Sequence, residues 1–432
     1  MSGINLAGHL SAPQGLGVAA RNTTRLLDEL GVPWMGIDIP VPAATAERVA
    51  WASRQAGDPL ARATHDVNLL HLNPPEALEL LWQRPRWLVL ERRATACVPF
   101  WEFPKLPRSW LDGLACMDAV LAPSRFVERS VRAALPELPV YHFPQAVWLD
   151  SATRADRARF ALPPEACVFV TVFDTRSDLA RKNPLGVLDA FARAFPAARR
   201  DVRLALRIQN ARGGLATVGV PALRVGRAEA TLRERAARDA RVVIFDAALT
   251  HADVLALIAS CDVYVSLHRA EGFGLVPLEA MSLGRPVVAT AWSGTLDYMT
   301  ADNSLLVPAT ETPVLGTAIR AYDTARMGEA QTWGEPDLDV AASHLRALAD
   351  EPALRTRLGE RALAAAARQR QASLAGDGLA QFAELAARRV AGEPVPPACA
   401  AARARVARQG PARRVRRRFV DLLRAVGVGP RA

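Results

Sequence analysis

Glu271-Gly272-Phe273-Gly274-Leu275-Val276-Pro277-Leu278-Glu279 is the stretch on which the fold turns. An apolar, strand-like run, Asp262–His268, precedes it, and a helix is expected to open at Pro277, a residue suited to the first helical position. Gly272 and Gly274 let the backbone turn sharply and approach a ligand with no Cβ in the way. The helix beyond offers unpaired N–H groups and a positive dipole end, a place for a diphosphate. Glu279, expected in the first turn, puts an acceptor-only carboxylate where ribose hydroxyls can donate, and Glu271 on the loop reaches toward a sugar. Two glutamates eight positions apart mean nothing alone; the glycines between them and the strand–loop–helix setting carry the reading.

Outward from this stretch, strand-like runs alternate with helical periods, the signature of parallel α/β units. Before it come strands at Cys167–Phe173, Val202–Ile208 and Arg241–Phe245, with helices at Leu185–Phe195 and Ala228–Ala240. A further helix starts at Thr250, where Asp253 supplies a capping-box signal. After it come strands at Pro286–Ala291 and Ser304–Val307, then mostly helix from about Leu338 to Val390, with Gly376 and Gly378 weakening its last part. The amino-terminal half repeats the rhythm: strands at Ile4–Gly8, Trp34–Asp38, Val67–Leu72, Asp118–Ala122 and Val140–Phe143, a helix over Gly17–Leu30, and another capped by Ser124. Ala96–Phe103 reads as one more strand with its loop. The Arg-, Ala- and Pro-rich stretch Asp150–Glu165 separates the halves. The expected domains are residues 1–150 and 151–390, followed by a flexible Arg-rich tail, 391–432.

At 432 residues the chain exceeds what one core usually supports. Half the residues are apolar, which excludes a disordered chain, and no run approaches a membrane span. The start, Met1-Ser2-Gly3-Ile4-Asn5, lacks signal-peptide character, so a cytoplasmic location is expected. Five widely spaced cysteines, none in a C-x-x-C pair, read as reduced, buried thiols. The net charge of +10 is local: residues 391–432 hold ten Arg against Glu393 and Asp421, so the other 390 residues carry only +2.

Glu271 to Glu279, together with Gly284-Arg285-Pro286-Val287-Val288-Ala289, resembles the E-x7-E segment of the family-4 retaining glycosyltransferases. The phrases Asp174-Thr175-Arg176-Ser177-Asp178-Leu179-Ala180-Arg181-Lys182-Asn183-Pro184 and Ser293-Gly294-Thr295-Leu296-Asp297-Tyr298-Met299 are similar to members that build bacterial surface polysaccharides. The likeness covers about residues 1–390 and is more specific in the second half. It implies an α/β fold of GT-B type, two Rossmann-like domains facing a central cleft, with a nucleotide-sugar donor held mainly by the second. Arg176 and Lys182 match the basic pair on the donor diphosphate, although Arg181 is an alternative to Arg176. Fixed cations there favour a leaving group that gains negative charge in the transition state. Gln14-Gly15-Leu16-Gly17 resembles the family's glycine-rich loop, which implies donor-binding roles for Gly15 and Gly17 beside Gly272, Phe273, Gly274 and Glu279. Where relatives carry a sugar-contacting His, this chain has Phe100-Trp101-Glu102-Phe103-Pro104, so Glu102 is a candidate for a related role. Phe143-Pro144-Gln145 is a second departure, at the hinge.

The resemblance implies a glycan or lipid-linked acceptor, no cofactor beyond the donor substrate, and no metal. Asp337-Leu338-Asp339 spells a metal-binding D-x-D but starts a helix, which reads as capping. His268 reads as structural, His251 as a surface residue, and His9 and His71 as candidates for facing the cleft. Rival readings are a phosphorylase or sugar epimerase on the same fold, or nucleic-acid binding through the tail. The near-neutral body and the lack of a recognised module speak against the latter. In the tail, Arg403, Arg405, Arg408, Arg413, Arg414, Arg416, Arg417 and Arg418 precede Phe419–Val426, whose apolar spacing is helix-like. That pairing suits an anionic membrane surface.

Overall fold

The computed structural model describes residues 3–39, 65–83, 88, 90, 93–149, 153–209, 222–315, 317 and 330–410. They divide into two units. The first draws on Met1–Trp101, Lys105–Gln145 and the chain from Ser373 on; the second on Glu102–Pro104 and Ala146–Ala372.

In the first unit, β1 (Ile4–Gly8), β2 (Trp34–Asp38), β3 (Val67–His71), β4 (Ala94–Cys97), β5 (Ala119–Ala122) and β6 (Val140–His142) form a sheet in the order β2-β1-β3-β4-β5-β6. Every pairing is parallel, with Ile4 opposite Trp34 on one side and Val67 on the other. All residues of β1, β3, β4 and β5 are buried, as a parallel sheet covered on both faces requires. The covering helices include α1 (Gly15–Glu29), α2 (Pro74–Gln83), α3 (Arg108–Ala115) and α4 (Arg125–Ala134). Ser124 caps α4 as expected, its hydroxyl accepting from Val127 N at 3.2 Å. Helices α2 and α3 are additional to the elements expected from the sequence.

The carboxyl-terminal segment departs from expectation. Helix Asp377–Val390 belongs to the first unit, and Gly378 is what lets it close on β6: a Cβ there would stand 2.0 Å from the His142 carbonyl oxygen. Gly376, with φ +69°, is its N-cap, so the two glycines break and dock the helix rather than soften it. The described part of the supposed tail continues as a helix over 397–410. It buries Cys399, Ala402 and Val406, a helical spacing that the arginines around it obscure in the sequence. Arg403 donates to the carbonyls of Cys116 and Leu90 and pairs with Asp118 at 2.8 Å, and Arg405 pairs with Asp112 at 2.6 Å. The second domain therefore ends near residue 372 rather than 390, and residues 391–410 are not separate from the core. Arg413 to Val426 lie outside the described residues.

In the second unit, β7 (Cys167–Asp174), β8 (Val202–Gln209), β9 (Val242–Phe245), β10 (Val263–Ser266), β11 (Val287–Thr290) and β12 (Leu305–Val307) give the order β12-β11-β10-β7-β8-β9, again all parallel. Helices α5 (Leu179–Lys182), α6 (Pro184–Ala194), α7 (Ala222–Ala237), α8 (His251–Ser260) and α9 (Leu275–Ser282) connect them, and Leu338–Asp350 packs beside α6. Phe169, Phe191 and Phe195 fill the core together with Leu206, Val265 and Leu345; the Phe191 and Phe195 rings lie 5.1 Å apart. An unanticipated antiparallel pair, β13 (Ala309–Pro313) and β14 (Thr332–Pro336), adds a small second sheet. Two caps hold as read: Thr250 and Asp253 form a full capping box, and Asp337 accepts from the N–H groups of Asp339 and Val340.

Strand order locates the candidate sites. In the second sheet the chain runs outward from β7 to β9, then returns to the other side of β7 with β10. In the first sheet the reversal lies between β1 and β3. Open α/β sheets bind ligands at such switch points, outside the carboxyl ends of the strands.

Candidate functional site

Two loops leave the second sheet at its switch point, one after β7 and one after β10, and the sequence-predicted charges sit on them. The first is held by its own side chains. Asp178, at φ +66°, accepts from the N–H groups of Ala180 and Arg181. Asn183, at φ +53°, caps α6 through Gly186 N and donates to the Leu267 carbonyl at 2.9 Å, hooking the loop to the end of β10. Lys182 therefore arrives beside Glu271, its Nζ donating to Oε1.

Arg176 and Arg181, interchangeable on paper, separate here. Arg181 is buried and fully engaged: it donates to the carbonyls of Ser177 and Ala270 and lies 3.3 Å from Glu271 and 3.5 Å from Glu102. Its work is to tie the two loops together. Arg176 is also largely buried, but its Nε and Nη2 make no hydrogen bond, and its nearest carboxylate, Asp174, stands 3.7 Å away. A buried guanidinium left unsatisfied is costly, and an anionic ligand is what would satisfy it.

Burial alone pushes the Glu271 carboxyl up, but Lys182 and Arg181 overcome it and hold the group down at about 2. Glu271 is thus a fixed anion within a cationic cluster rather than a free arm on a loop. Its backbone is fixed as well: its N–H donates to Ser293 Oγ at 2.8 Å, and its carbonyl accepts from Gly294 N at 2.9 Å. Gly294 has to be glycine, because a Cβ would stand 2.2 Å from the Gly272 oxygen. Gly274, at φ +88°, is the N-cap of α9, and a Cβ there would meet Thr295 at 2.5 Å.

Three expectations about the motif change. The helix begins at Leu275, directly after the left-handed Gly274, so Pro277 is its third residue and Glu279 falls in the second turn. Phe273 is buried and packs against Tyr298 with ring centroids 5.3 Å apart, so its side chain is part of the core. His251, read as a surface residue, donates from Nε2 to Glu279 Oε1 at 2.7 Å. No sequence signal links two residues 28 positions apart; the packing of α8 against α9 does.

His268 is structural, as read. It is buried, its Nδ1 lies 3.0 Å from Ser266 Oγ, and desolvation lowers its pKa to about 4. Among the described residues no group of His, Cys, Asp or Glu is arranged to hold a metal, and the five cysteines are buried and unpaired. No described helix is long and apolar enough to cross a membrane.

In the first unit the switch point holds His9, the glycine loop and His71. Gly17 has a packing reason: a Cβ would meet the Ala12 oxygen at 2.1 Å. Gly15 has none, being exposed with open space around it, and the Gln14 N-cap side chain leaves the first turn uncapped. His9 bridges the Ile39 carbonyl at 2.7 Å and Glu76 at 3.2 Å. Burial lowers the pKa of His71 to about 3, and its ring lies 5.5 Å from that of Phe100. Glu102, from the short segment grouped with the second unit, faces Arg181.

Residues 184–322 match the family model described as Glycosyl transferases group 1. The second unit carries a glycosyltransferase group 1 domain. That match spans α6 to β13 and both glutamates of the motif, Glu271 and Glu279. Comparison with the curated proteins finds no match. Among solved structures, sucrose-phosphate synthase from Thermosynechococcus elongatus is similar over 90% of this chain and 100% of its own, at 18% identity and a TM-score of 0.61. HepE of Anabaena, in complex with UDP and glucose, is similar over 89% and 99%, at 15% identity and a TM-score of 0.56. The α,α-trehalose 6-phosphate synthase of Burkholderia multivorans is similar over 90% and 99%, at 14% identity and a TM-score of 0.57. These likenesses establish the fold, GT-B.

Proposed function

We propose that the protein is a metal-independent, retaining glycosyltransferase that moves a sugar from a nucleoside-diphosphate sugar to a glycan or lipid-linked acceptor. The observation that carries this reading is the unsatisfied, buried Arg176 guanidinium on the β7 loop that also bears Lys182, at the switch point of the sheet. In the mechanism, Arg176 and Lys182 hold the diphosphate, with the N-terminus of α9 beside it. Negative charge that builds on the leaving oxygen meets fixed cations that need no reorganisation. Lys182 keeps Glu271 as a partner and offers its remaining N–H donors to phosphate, while Glu271, held by Arg181, stands ready to accept from hydroxyls of the sugar. Glu279 takes ribose hydroxyls, and Glu102 lies on the sugar side through Arg181. The acceptor hydroxyl attacks from the face that the diphosphate leaves, and the leaving oxygen takes its proton, so no separate base is required.

Membrane association through the tail belongs to the same proposal in narrower form, since Arg403 and Arg405 are already spent on the first unit. Any basic, membrane-facing patch consists of Arg408 and the residues beyond it.

A panel of nucleotide sugars, UDP-glucose first because of HepE, tests the reading through the rise in melting temperature that a native-state ligand causes. One donor is expected to stabilise the protein and to be turned over only with acceptor, the product keeping the donor's anomeric configuration. A protein that no nucleotide sugar stabilises, or a product of inverted configuration, overturns it.

A further inference from the structure

We infer that His251 is a positioning residue for nucleoside recognition: it holds one oxygen of Glu279 so that the other is presented to a ribose hydroxyl. The inference rests on the donor reading above and extends it to a residue outside the motif.

Glu279 is 2% exposed, and a carboxylate so placed needs a donor. His251 supplies it, Nε2 to Oε1 at 2.7 Å. A carboxylate accepts only, so the imidazole must carry its proton on Nε2, and that requirement sets the tautomer. The second oxygen, Oε2, has no hydrogen-bond partner among the described residues and is not sealed from solvent.

His251 is itself held firmly. It is the first residue of α8, directly after the Thr250 N-cap. Thr250 and Asp253 close a capping box there, and Arg159 pairs with Asp253 at 2.5 Å, fixing the helix start from a second segment. Helices α8 and α9 follow β9 and β10, so the pair stands at the carboxyl end of the sheet, the ligand-binding end. The imidazole side chain is one-third exposed, unlike the carboxylate it orients. A single fixed oxygen is a selective acceptor: it rewards a hydroxyl at one place and does nothing for a diphosphate.

The test is direct binding of UDP, GDP and ADP, their 2′-deoxy counterparts, and inorganic pyrophosphate to the full chain. His251→Ala is expected to weaken the best-bound nucleoside diphosphate about tenfold, to flatten the preference for ribose over deoxyribose, and to leave pyrophosphate binding unchanged. In His251→Gln the amide nitrogen falls near the position of the imidazole Nε2, so affinity should return to within about twofold of wild type. A His251→Ala protein that keeps its ribose preference, or that loses pyrophosphate and nucleotide binding together, overturns the inference while the donor reading stands. Wild-type protein that binds none of the three diphosphates overturns both.

Discussion

The two sheets each send a glycine-bearing loop into a helix at their switch point, and the loops differ in what surrounds them. Between β1 and α1, Gly17 serves packing and Gly15 stands in open space, and the nearby Arg21 turns back to the carbonyls of Leu10 and Ala12. Between β10 and α9, a close backbone contact, Gly272 against Gly294, is flanked by charges: Glu271 between Lys182 and Arg181, and Glu279 against His251. The same local shape thus serves a packing corner in one unit and a charge-lined corner in the other. A glycine loop on a helix start provides space; the side chains that converge on it from other strands provide chemistry.

The largest expected effect comes from Lys182→Ala, which should lower turnover about 10²-fold, the scale of losing one electrostatic stabiliser of the transition state. Glu271 would keep Arg181, so the fold should survive, and steady-state kinetics alongside circular dichroism checks both points. Near-normal kcat would remove the distinction drawn between the loops. Gly294→Ala and Gly17→Ala should each cost about 1–3 kcal/mol, because both force a Cβ onto a carbonyl oxygen. Denaturant midpoints measure the cost. Only Gly294→Ala should also lose nucleotide affinity, and equal losses in both would erase the contrast.

Glu279→Ala should weaken nucleoside-diphosphate binding about tenfold and change kcat less, since ribose contacts vary little along the reaction. An unchanged dissociation constant would remove Glu279 from the site. Smallest of all, Gly15→Ala should leave stability within about 0.5 kcal/mol, because the added methyl meets nothing and restricts the unfolded chain. A large drop in donor affinity in that variant would show that the amino-terminal loop binds the diphosphate too, and would put the two loops on equal footing.

The local features of the chain were legible because they repeat at short range. Strand–helix alternation, the Ser124 and Asp337 caps and the Thr250–Asp253 box depend on residues a few positions apart, and all stand in the structure. The motif glutamates and glycines could be picked out for the same reason. Its helix starts two residues before Pro277, because proline is tolerated anywhere in a first turn while the left-handed Gly274 sets the boundary.

What the sequence determined by itself is therefore the α/β class, the two-unit plan and the charged residues of the β7 and β10 loops. Pairings across long separations come from the packing of the folded chain. Arg181 rather than Arg176 is consumed by the fold, His251 meets Glu279, Gly294 must pass under Gly272, and the chain from Ser373 returns to the first sheet. The physical reason is common to all four. Hydrogen bonds and close backbone contacts are satisfied by whichever group packing brings within about 3 Å, and strand order, not sequence distance, sets which group that is.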